Sequence, residues 1–107
     1  MQNPLSSTSR SRLAADMVER AVQLPKGRSA ALVLADGTVI CFGHEQNNRA
    51  EKKVHSLERR LVRRGIEPSA VAFSNDKLAW ALVSVTAPQG CRARALEAEI
   101  ERLLQKT

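Results

Sequence analysis

Residues 31–43 read ALVLADGTVICFG. Two apolar runs flank Asp36-Gly37, a dipeptide favoured where a strand turns back on its neighbour, because a tight hairpin needs positive φ and glycine takes it without steric cost. The stretch predicts a β-hairpin with strands over 30–35 and 38–43 and a two-residue turn between them. Leu32 and Leu34 alternate onto one face; Ala31, Val33 and Ala35 alternate onto the other. A strand apolar on both faces is expected to be covered on both.

The rest of the chain is read outward from this hairpin. Before it, a helix runs from Ser9 or Ser11 as N-cap to about Leu24. Leu13, Met17, Ala21 and Leu24 share about 80° of its circumference, and Pro25-Lys26-Gly27 ends it. After the hairpin, a helix is expected from Asn47 to Arg64, closed by Gly65. Beyond Pro68, AVAFSNDKLAWALVSV (residues 70–85) reads as a second hairpin, with strands over 69–74 and 77–85 around Ser74-Asn75-Asp76. DKLAWAL is rich in helix formers, and only the Val83–Val85 end argues firmly for a strand there. Pro88-Gln89-Gly90 breaks the chain. A last helix, Arg92 to Gln105, carries Ala93, Leu96, Ile100 and Leu103 on one stripe.

The order is α-ββα-ββα, an α+β fold with an N-terminal helix, two hairpin–helix units and three helices packed on a mostly antiparallel four-stranded sheet. The two units repeat in pattern without residue identity. Residues 1–8, Ser-rich and holding Pro4, are expected to form a mobile arm ahead of a single domain over 9–107. One domain is what 107 residues support, since half that length buries too little surface to fold alone.

Composition narrows the function. The chain is 43% apolar, so a packed core is available, but its only aromatics are Phe42, Phe73 and Trp80. The core must be aliphatic, with Trp80 as an anchor, and an aromatic platform for stacking single-stranded bases is not supported. Two cysteines are too few for a disulfide scaffold. MQNPLSSTSRSR has no apolar h-region and no run is long enough to span a bilayer, so the expectation is a cytoplasmic protein with reduced thiols and no membrane partner.

The charge is uneven. Net charge is +6, and residues 46–66 hold seven basic and two acidic side chains. At 100° per residue, Val54, Leu57 and Leu61 form a narrow core stripe on the 47–64 helix. Arg49, Lys52, Lys53, Arg59, Arg60, Arg63 and Arg64 fill one arc of about 140°. Glu51 and Glu58 lie on the other flank, near His55 and Val62. A plain solvated face intersperses signs, whereas here like charges are neighbours at roughly 0.2–0.5 kcal/mol each. Five of the seven are Arg, whose planar fork suits phosphate and carboxylate.

The expected function is therefore non-enzymatic binding of an anionic partner through this helix: nucleic-acid backbone first, an acidic protein second, with the chain as a regulator or inhibitor. No helix-turn-helix, zinc-finger, RNP or KH signature accompanies it, so sequence-specific readout is not expected. Arg10, Arg12, Lys26 and Arg28 are candidates to extend the surface.

Cys41, His44, His55 and Cys91 are the residues able to ligate a metal or form a catalytic Cys–His pair. Their scatter, without any C-x-x-C, reads better as packed thiols and surface imidazoles. Cys41 lies in an apolar strand, and Glu45 beside His44 identifies no substrate. No cofactor, metal or catalytic residue is expected. The first helix also carries Ala14, Val18 and Val22 beyond its stripe, and Leu104 widens that of the last helix. Such surplus apolar surface predicts a symmetric homodimer.

Overall fold

Asp36 and Gly37 do turn the chain, but within a three-residue loop. The amide of Leu34 donates to the Thr38 carbonyl at 2.8 Å and that of Gly37 to the Leu34 carbonyl at 3.0 Å. Only Gly37 takes positive φ (89°). Asp36 instead accepts the Thr38 amide at 2.9 Å through its carboxylate, a local bond that competes with the left-handed conformation a two-residue turn would demand. The result is a type I turn closed by a glycine bulge, the usual three-residue solution.

The computed structural model describes residues 7–86 and 93–105. The elements are α1 (Ser7–Val22), β1 (Arg28–Val33), β2 (Val39–His44), α2 (Ala50–Arg63), β3 (Pro68–Phe73), β4 (Ala79–Ser84) and α3 (Ala93–Gln105). This is the α-ββα-ββα order, an α+β layout with three helices on a four-stranded sheet. The strands lie in the order β1-β2-β4-β3, with every neighbour antiparallel. Of the expected arm, residues 1–6 lie outside the described residues, and α1 begins at Ser7.

The ambiguous DKLAWAL segment divides. Ala79 to Ser84 form a fully buried central strand, while Asp76, Lys77 and Leu78 belong to the turn. Ser74 and Asp76 hold that turn with their side chains: Asp76 accepts the Leu78 amide, and the Ser74 hydroxyl accepts the Ala79 amide. Lys77 is left-handed there (φ 57°). Tertiary burial of alternating Trp80 and Leu82 overrides helix propensity.

The sheet is covered on both faces, as its apolar alternation requires. α1 packs Ala14, Met17, Val18 and Ala21 against Ile40, Phe42, Ala79, Ala81 and Val83. Its buried stripe is thus rotated from the one expected, with Leu13 and Leu24 only partly buried. On the opposite face α2 and α3 cover Val39, Cys41, Trp80 and Leu82 with Val54, Leu57, Leu61, Leu96, Ile100, Leu103 and Leu104. The surplus apolar residues Ala14, Val18 and Leu104 are thereby buried within one chain, and Val22 stays exposed.

α2 spans a shorter stretch than the one expected, since Asn47 and Asn48 are left-handed (φ 55° and 60°). It closes as a Schellman motif: Gly65 has φ 82°, its amide donates to the Val62 carbonyl, and that of Ile66 donates to the Leu61 carbonyl. Ile66 and Leu61 are buried in the same cluster, the apolar contact that accompanies this cap.

Candidate nucleic-acid interface

The core stripe of α2 is Ala50, Val54, Leu57 and Leu61, all buried. It fixes where the seven cations point, and the structure splits them into two sets. Lys53, Arg60 and Arg64 lie on the flank that meets α3 and the end of β2. Lys53 Nζ is 3.3 Å from the buried Glu45 carboxylate. Arg60 donates through Nη1 to the Leu103 carbonyl at 3.2 Å, capping the last turn of α3. Arg64 Nη2 is 3.0 Å from Glu99 Oε1, and the other oxygen of that carboxylate pairs with Arg102.

Arg49, Lys52, Arg59 and Arg63 face outward and are exposed. No ion pair among the described residues involves any of them. Arg49 sits at the N-cap position without a side-chain cap bond. The third flank, away from α3, carries Glu51, His55, Glu58 and Val62. Glu51 Oε1 is 3.5 Å from Lys77 Nζ in the β3–β4 turn, and His55 Nδ1 is 3.4 Å from Glu58 Oε1. His55, Glu58, Arg59, Val62 and Arg63 line an open groove of about 600 Å³.

Arg28 lines one hollow with Lys53 and Glu101, so it lies at the inner end of the arc. α1 is on the other face of the sheet, which keeps Arg10 and Arg12 away from α2.

The Cys/His candidates are not brought together. Cys41 is fully buried beneath α2 and α3, and burial first, then the negative charge of Glu101, pushes its thiol up to about 12. His44 Nδ1 lies 2.9 Å from the Leu24 carbonyl, to which it donates in the tautomer that satisfies the bond. His55 is on the outer flank of α2. Cys91 lies outside the described residues. Among the described residues no three His, Cys, Asp or Glu side chains converge as a metal site, and no helix is long and apolar enough to cross a membrane.

The helical wheel finds the arc but not its partners. Glu45, Glu99 and Glu101 were legible only as charges near a strand end and on the last helix. The like-charge cluster, read from the sequence as the mark of an external anionic partner, was the one signal that could have prompted a search for internal carboxylates. Comparison with protein-family models, curated proteins and solved structures finds no match to this chain.

Proposed function

We propose that the protein binds nucleic-acid backbone, without catalysis and without reading base sequence, through Arg49, Lys52, Arg59 and Arg63 on the outward face of α2. The observation that carries this reading is the division of the arc. Internal pairing accounts for Lys53, Arg60 and Arg64, but it leaves four like charges clustered on one exposed face with none of them in an ion pair among the described residues, and the one carboxylate of the adjoining groove, Glu58, lies beside His55. From position 49 to 63 they cover about 20 Å of helix axis. Over that length a duplex presents about a dozen phosphates. Three of the four are Arg, which can fork onto phosphate oxygens. The proposed setting is cytoplasmic. Charge reversal at Arg59 and Arg63, read by electrophoretic binding to generic DNA and RNA, tests it.

A second reading has its own observation. Val62 is 53% exposed beside Arg59 and Arg63, and apolar contact adds nothing to phosphate binding, so the same helix suits an acidic protein partner. Self-association rests on a narrower basis than the apolar patterning of the helices suggests. With both sheet faces covered, a two-fold partner is left Val22, Val62 and Val71 as its large exposed apolar contacts among the described residues. Light scattering reads this directly, a mass of 11.7 kDa marking a monomer.

A further inference from the structure

Arg60, Arg63 and Arg64 line one hollow of about 400 Å³ beside the last turn of α3, with Leu103 as its apolar wall. Three guanidiniums on a single hollow repel one another unless negative charge offsets them. Glu99 is the one carboxylate paired with any of the three among the described residues, and it is shared between Arg64 and Arg102. The carbonyl ends of α2 and α3 add about half a negative charge each. Set against Arg60, Arg63, Arg64 and Arg102, these leave a surplus of about two positive charges. Complementing the helix ends thus explains part of the cluster only.

The donors are held in place without being used up. Arg60 spends one N–H, from Nη1, on the Leu103 carbonyl, and a guanidinium carries five. Arg64 Nη2 is 3.0 Å from Glu99 Oε1, yet that oxygen accepts no hydrogen bond. The pair therefore holds Arg64 by charge and leaves its N–H fork open. Arg63 has no ion pair among the described residues. The contacts that take Arg60 and Arg64 out of the exposed line thus set them as walls of the hollow, and donors placed in advance cost less to order on binding.

We propose that this hollow binds one dianionic phosphate group, either free or as the terminal monoester of a nucleic-acid strand. A phosphate monoester carries about 1.5–2 negative charges at neutral pH, which matches the surplus, and its oxygens suit the arginine forks. A backbone diester carries one charge and continues on both sides, whereas α3 closes one side of the hollow through Leu103. A single terminal group enters such a hollow, and a continuous duplex stays on the outward four cations. The site goes beyond backbone binding and does not require it, although Arg63 is common to both.

The test uses the full chain and inorganic phosphate, read by thermal midpoint and by isothermal titration against chloride at equal ionic strength. Phosphate should raise the midpoint above that in chloride. Affinity should fall about tenfold or more in R63Q and R64Q, and also in R64K, which keeps the charge but loses the fork. K52M and R59Q should bind phosphate as the parent does, and midpoints in chloride alone report whether each variant is folded. Single strands of one sequence, ending in a phosphate or a hydroxyl, separate the two sources. A gain of about tenfold for the phosphorylated strand, lost in R64Q, assigns the site to strand ends. Equal binding of both strands, with inorganic phosphate bound, assigns it to a free ligand. If phosphate acts no more strongly than chloride and the two strands bind alike, the site is overturned. Folded R64Q and R64K that bind phosphate as tightly as the parent would overturn it too. A parent that binds phosphate but no duplex removes the backbone reading alone.

Discussion

Lys53 Nζ lies 3.3 Å from Glu45 Oε1, in a pair whose side chains are 14% and 8% exposed. The pair ties α2 to the chain leaving β2 and takes one cation out of the exposed basic arc. Removing Lys53 strands a buried carboxylate whose second oxygen already has no hydrogen-bond partner. K53M should therefore lose about 3 kcal/mol, and E45Q/K53M should recover part of it. K52M should change stability by less than about 0.5 kcal/mol. Urea denaturation of the three variants reads the contrast, and equal losses at Lys52 and Lys53 would erase the proposed division.

The same division predicts a separation between two charge-reversal pairs. R60E/R64E loses the α3 cap and sets a glutamate against Glu99, so its thermal midpoint should drop by about 5 °C or more. R59E/R63E should stay within about 2 °C of the parent and lose anionic-partner binding. Calorimetry and electrophoresis on both pairs check this together.

Gly43 packs where a side chain has no room. A Cβ there would sit 2.9 Å from Trp80 Cζ2 and from Ser29 Oγ, and 3.1 Å from the Arg28 carbonyl. G43A should cost about 1–3 kcal/mol by overpacking the middle of the sheet. Chemical denaturation measures it, and a neutral result would mean that Trp80 is free to move.

The hairpins, the helices and the two-sided cover of the sheet were legible because alternation and helical spacing report burial directly: Leu57 and Trp80 fall inside, as their patterns require. The phase of α1 was not. Leu13 and Ala14 are adjacent, and size favoured Leu13, whereas the small Ala14 is what lets the helix approach β4 closely. The turn at Asp36 was misread because its carboxylate bond to Thr38 outweighs the dipeptide's usual preference. At the site, the arc itself was visible. Its partition was not, since Glu45, Glu99 and the Leu103 carbonyl reach α2 only through tertiary packing.

Cys41 gives a pH prediction with a definite sign. Its thiol is raised from 9.0 to about 12 by burial and by Glu101. Above pH 9 the unfolded thiol ionises while the folded one keeps its proton until about 12, so the native state binds more protons across that window. Stability should fall as pH rises from 9 toward 12. The fall should be shallower in C41A, measured by urea midpoints. In a C91S background the native thiol should resist alkylation and become reactive on unfolding.

The central claim is that the outward four cations, not all seven, meet duplex phosphate. The most direct measurement is the affinity for a generic DNA duplex as a function of salt. Four phosphate contacts predict a slope of log K against log salt of about −3.6, abolished or strongly reduced in R59E/R63E. A slope near −6 would instead engage the whole arc. Absence of binding at low salt, or binding without a salt slope, would contradict the account.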